Sequence, residues 1–184
     1  MTEAVQQQTA LLLDRYPWRI ILFRWFLVAL EMGLATYLVL SLRFELALLF
    51  IVYGVIAILF LLPAIRCSRC YYYGKRCNFG WGVWVSKVFP RDSDNAFSSF
   101  YGYTILLWPI RIIPIGAGLW SALGLVFGKP DILSLSIFGG YLLVIIIHRH
   151  FYRSRACVRC HEKDNCAVFD KRVMLRLLEK SETA

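Results

Sequence analysis

The chain has 184 residues, 59% of them hydrophobic and 16% aromatic, and its mean hydropathy is +0.57; soluble domains are roughly 45–50% apolar, so the class is membrane. A net charge of +9 raises the question of nucleic acid, but the basic residues sit beside long apolar runs and read as topology signals, so no nucleic-acid partner is expected. The sequence has no hydrolase triad, phosphate-binding glycine loop, dinucleotide fingerprint or pair of catalytic carboxylates, which argues against ordinary soluble-enzyme chemistry.

Residues 1–19 form an N-terminal segment. The first apolar run goes from about Ile20 to Leu42 and the second from about Phe44 to Ile65. Each meets the requirement of ~20 apolar residues for ~30 Å of hydrocarbon. The first run is too long for a signal peptide and lacks a small-residue cleavage pattern, so it reads as a mature helix. Only a turn around Ser41 to Glu45 separates the two, which makes residues 20–65 a transmembrane hairpin. Residues 66–102 carry a cysteine block and a short amphipathic stretch. A second hairpin, residues 103–147, is expected from runs at about Tyr103 to Phe127 and Ile132 to Ile147, joined by the turn sequence Gly128-Lys129-Pro130-Asp131. Pro109 and Pro114 predict a kink in the third helix. Residues 148–184 hold a second cysteine block and an amphipathic tail.

Four spans put the termini and both cysteine blocks on one side. Of 21 Lys and Arg residues, 17 fall on that side and two, Arg43 and Lys129, on the other. The positive-inside rule makes the basic side cytoplasmic. The expected fold is therefore an all-α membrane protein of four transmembrane helices in two hairpins, with a cytoplasmic cysteine-rich cap and interfacial amphipathic helices. One such helix is suggested by Trp81, Trp84, Val85, Val88 and Phe89, the other by Phe169, Val173, Met174, Leu177 and Leu178.

The cysteines carry the chemistry. Cys67, Cys70 and Cys77 form C-x2-C-x6-C after the second run; Cys157, Cys160 and Cys166 form C-x2-C-x5-C after the fourth. The order hairpin, block, hairpin, block points to an internal duplication with a step of 90 residues from Cys67 to Cys157. A C-x2-C turn can aim two sulfurs at one metal, and a third cysteine adds a third ligand. His161 is the candidate fourth ligand in the second block; the first block has no histidine. The donor set suits an iron–sulfur cluster or zinc and leaves the choice open. Redox-active thiols and structural or palmitoylated cysteines are the competing readings. Cys157-Val-Arg-Cys160-His161 also matches the c-type haem pattern. Against haem, attachment normally occurs on the non-cytoplasmic side, the first block lacks the histidine, and Cys166 is left over.

Ionisable groups within spans are costly and find partners. Arg24 is shallow enough to snorkel to the surface. Glu31 and Arg111 lie at depths about 4.5 Å apart in helices running the same way, so an intramembrane Glu31–Arg111 pair is expected, fastening the hairpins or serving a proton or quinone site. His148 and His150 mark the exit of the fourth run and suggest an interfacial role. Two functions follow: a membrane redox subunit exchanging electrons with a partner subunit or a lipid-soluble carrier, or a zinc-stabilised scaffold or assembly factor in the bilayer. A transporter has little support from one or two intramembrane charges.

Overall fold

Long apolar runs bounded by turn residues fold here as helices, because only a helix satisfies its own backbone polar groups without water. The structure, a computed structural model, describes residues 12–92, 105–126, 132–163 and 166, and these are helix and turn, with no strand among them. Helix α1 spans Trp18–Leu40 and begins where the Pro17 carbonyl accepts the Ile20 N–H at 3.1 Å. Ser41 to Arg43 turn the chain, with the Ser41 hydroxyl donating to the Leu38 carbonyl at 2.7 Å, and α2 follows over Phe44–Ile56. A π turn, Ala57–Leu61, continues it into Leu62–Ile65 and a 3-10 turn, Cys67–Arg69. Pro63 has no N–H to give, and the helix widens just before it. Helix α3 is Gly82–Val88, α4 is Pro109–Val126 and α5 is Ile132–Phe151. A second π turn, Tyr152–Ala156, and a second 3-10 turn, Cys157–Arg159, close it.

Among the described residues, three helical stretches are long and apolar enough to cross a bilayer: Trp18–Leu40 with 23 residues, Phe44–Arg69 with 26 and Ile132–Arg159 with 28. Two of them outrun the apolar runs that predicted them. The stretch expected to stop at Ile65 reaches Arg69 through the 3-10 turn Cys67–Arg69, and the one expected to stop at Ile147 reaches Arg159 through the π turn Tyr152–Ala156 and the 3-10 turn Cys157–Arg159. Cys67 and Cys157 therefore sit on the last helical turns. Helix α4 has 18 residues. Pro109 opens it, where a missing N–H costs nothing, and Pro114 is buried inside it. The expected Gly128–Asp131 turn and the C-terminal stripe from Phe169 to Leu178 lie outside the described residues.

The chain divides into two compact units, one of Met1–Arg24, Pro63–Tyr101 and His150–Ala184, the other of Trp25–Leu62 and Gly102–Arg149. The second, the helical unit, has a core of Ala35, Leu38, Val39, Ala47, Phe50, Ala117, Phe138 and Tyr141. Its outer surface is also apolar: Leu49 is 65% exposed and Trp120 69%. A helix apolar on all sides is one that meets lipid or a large core. Gly118 lets α4 close on α5, since a Cβ there would stand 2.0 Å from the Phe138 ring. Gly118→Ala is expected to cost about 1–3 kcal/mol through overpacking, read as a lower thermal midpoint in detergent.

In the first, cysteine-bearing unit, α3 is too short for the single interfacial stripe expected of Trp81 to Phe89. Val85 is fully buried while Val88 is 51% exposed, so the apolar residues face two ways. Trp81 and Trp84 meet edge to face at 4.8 Å.

Candidate functional site

The two C-x2-C segments fold alike. Cys67–Arg69 and Cys157–Arg159 are both 3-10 turns. The Cys70 N–H donates to the Cys67 carbonyl at 3.3 Å and, ninety residues on, Cys160 does the same to Cys157 at 3.1 Å. The next bonds match as well, Tyr73 N–H to the Cys70 carbonyl at 3.0 Å and Lys163 N–H to the Cys160 carbonyl at 3.2 Å. The correspondence reaches the sulfurs: Cys70 accepts the Tyr72 backbone N–H, and Cys160 accepts that of Glu162.

The blocks also meet. The Tyr71 ring stacks on His161 with centroids 3.9 Å apart and planes 18° apart. The Tyr71 N–H donates to the Glu162 carboxylate at 2.9 Å, and the His161 N–H to the Tyr72 hydroxyl at 3.3 Å. A strap from Leu13 to Tyr16 ties both together. Leu13 donates through its N–H to the Arg159 carbonyl at 3.0 Å and accepts from the Tyr72 hydroxyl at 2.7 Å. Tyr16, fully buried, donates its N–H to the Arg76 carbonyl at 3.0 Å and its hydroxyl to the Ala156 carbonyl at 2.7 Å. At the surface, the Lys75 ammonium 2.6 Å from Asp14 holds that carboxyl below its ordinary value, helped by the Tyr71 hydroxyl.

All six cysteines are free thiols, and they form a connected electrostatic neighbourhood. Cys67 feels Cys77, Cys70 feels Cys67 and Cys160, and Cys160 and Cys157 feel Cys166. Burial pushes the Cys70 thiol well up, with Glu162 adding to it and the Tyr72 N–H opposing. Burial pushes Cys160 up to about 11 against the opposing Glu162 N–H. Among the described residues no three His, Cys, Asp or Glu side chains are grouped tightly enough to hold a metal ion. The donor chemistry fits thiolate ligation, since N–H···S bonds and positive charge offset the sulfur's charge, yet the sulfurs do not form a ready-made single-ion site. The imidazole of His161 is engaged face to face with Tyr71 rather than gathered with the thiols.

Arg24 is held within the cysteine-bearing unit. Its guanidinium lies 4.3 Å from the Phe79 ring centroid and 4.1 Å from that of Tyr152, donates to the Asn78 side-chain carbonyl, and acts electrostatically on both Cys67 and Cys157. Cation–π contact on two faces keeps it inside the unit.

In the helical unit, Arg111 Nε donates to Glu31 Oε1 at 3.1 Å. The sequence did not suggest the third member: His148 Nδ1 stands 2.7 Å from Glu31 Oε2, and His148 is 7% exposed. Its expected interfacial role gives way because α5 continues past it and turns the ring onto α1. Tyr141, two turns before His148 on the same face of α5, is fully buried.

Fold and sites together define a protein whose described residues are helix and turn, with three helices among them long and apolar enough to cross a membrane, consistent with an integral membrane protein, and with two cysteine turns brought together. No protein-family model, curated protein or solved structure matches the chain.

Proposed function

We propose that the chain is a multi-pass membrane protein of four spans in two duplicated hairpins, whose two cysteine blocks hold an iron–sulfur cluster at the cytoplasmic bilayer surface. In this role it passes electrons to or from a lipid-soluble carrier or a partner subunit. The observation that carries the reading is the pair of matched C-x2-C turns, tied face to face through Tyr71, Tyr72 and the Leu13 to Tyr16 strap. The orientation rests on the charge bias of 17 to two. Cys67, Cys70, Cys77, Cys157, Cys160 and Cys166 are the ligand pool. A zinc ion at about 2.3 Å from each sulfur needs its ligands within about 4 Å of one another, whereas a four-iron cluster takes one thiolate on each iron and spreads them further. Arg24, close to the first cysteine of each block, offsets the negative charge such a centre would bring.

A zinc-stabilised scaffold is the second reading. The dense knitting of the blocks by tyrosine hydroxyls favours it, because that packing serves a structural centre equally well. Anaerobic purification followed by elemental analysis and electron paramagnetic resonance separates the two. Iron with acid-labile sulfide and a paramagnetic signal on reduction is the expected result. Zinc without iron establishes the scaffold, and a protein with neither metal overturns both readings in favour of thiol chemistry.

A further inference from the structure

Three observations in the helical unit converge on one place. Glu31 lies midway along Trp18–Leu40 and is buried. Its two oxygens are occupied by Arg111 Nε and His148 Nδ1. Arg111 makes that bond through Nε; its two Nη nitrogens have no partner among the described residues, and its side chain is 53% exposed. Five N–H donors in a fixed fork then have four left over on a half-exposed side chain. The third observation is Tyr141. It is fully buried, its hydroxyl has no hydrogen-bond partner among the described residues, and it feels the charges of both Glu31 and Arg111. An orphaned buried hydroxyl is destabilising; phenylalanine would pack the same ring without that cost.

We propose that Arg111, Tyr141, Glu31 and His148 form a binding site for the headgroup of a lipid-soluble quinone, with the Arg111 Nη edge and the Tyr141 hydroxyl as donors to its carbonyl oxygen. The charge count selects the class of ligand. Arg111 already has an anion in Glu31, so the guanidinium is balanced and takes a neutral acceptor rather than a phosphate. Glu31 and His148 act as positioning residues that hold the guanidinium with its Nη edge outward. This inference rests on the membrane reading above and gives its lipid-soluble carrier a chemical class.

The test uses the full chain in phosphatidylcholine nanodiscs, titrated with a one-isoprene benzoquinone and followed by calorimetry against empty nanodiscs, with iron measured on the same samples. Saturable binding is expected, weakened about tenfold by Arg111→Lys, which keeps the countercharge for Glu31 but removes the outward Nη pair, and about fivefold by Tyr141→Phe, which keeps the packing. Thermal unfolding of each variant shows that it is folded. Uptake no greater than in empty nanodiscs overturns the site. So does binding unchanged by both variants, or wild-type binding of anionic phosphatidylglycerol with none of the quinone. Iron-free protein that binds quinone saturably leaves this site standing and removes the iron–sulfur reading; iron-bearing protein that does not bind it removes this site alone.

Discussion

Glu31→Ala is expected to lower the stability of the folded protein by about 1–3 kcal/mol, the cost of leaving the buried His148 ring without its partner, while the half-exposed Arg111 guanidinium adds little. The carboxylate serves two partners at once, Arg111 Nε at 3.1 Å and His148 Nδ1 at 2.7 Å, on three different helices. Without it the half-exposed guanidinium loses its counter-ion and the buried imidazole its hydrogen-bond partner. Glu31→Gln retains one acceptor and loses less. Pairing Glu31→Leu with Arg111→Leu removes both charges, so the double variant recovers more than the sum of the singles predicts. Thermal unfolding followed by tryptophan fluorescence in detergent reads all five variants, the two leucine singles included. A loss below about 1 kcal/mol for Glu31→Ala would show that the carboxylate fastens nothing.

The same triad shows where the sequence is informative. Glu31 and Arg111 interrupt apolar runs, so each charge advertises its need for a partner, and depth along parallel helices matches them. His148 stands in His-Arg-His at the end of a run and reads as an exit, since hydropathy cannot register that a π turn at Tyr152–Ala156 carries the helix onward. The positions of the long apolar helices follow from composition, because length and apolarity are summed over some twenty residues. The meeting of the cysteine blocks is illegible for the opposite reason. It depends on single hydroxyls, those of Tyr16 and Tyr72, that in sequence resemble any interfacial tyrosine. Cysteine spacing marks two candidate centres but does not reveal that Leu13 to Tyr16 join them. Arg24 is similar: its depth permits snorkelling, and only the folded chain brings Phe79 and Tyr152 to its two faces.

Gly82→Ala is expected to disorganise the first cysteine block. A Cβ at this position would stand 2.1 Å from the Tyr72 carbonyl oxygen and 2.2 Å from that of Lys75. Both obstacles are backbone, so no side chain can swing aside, and the start of α3 must lift off the Tyr72 to Lys75 turn. That motion breaks the bond from the Gly74 N–H to the Gly82 carbonyl at 3.0 Å and draws Val85, fully buried, out of its packing. A cost of about 3 kcal/mol, at the upper end of ordinary overpacking, is expected. Gly74 makes the comparison. It has φ +77° and open space around its Cβ position, so Gly74→Ala carries only the backbone penalty of about 1–2 kcal/mol. The readout specific to the site is alkylation of Cys70 and Cys77 by a maleimide in metal-free protein, mapped by mass spectrometry. Labelling should accelerate strongly in Gly82→Ala and little in Gly74→Ala, because the first moves Tyr72, whose backbone N–H covers the Cys70 sulfur and whose hydroxyl anchors the strap at Leu13. Equal labelling in the two variants would mean that Gly82 does not hold the block in place.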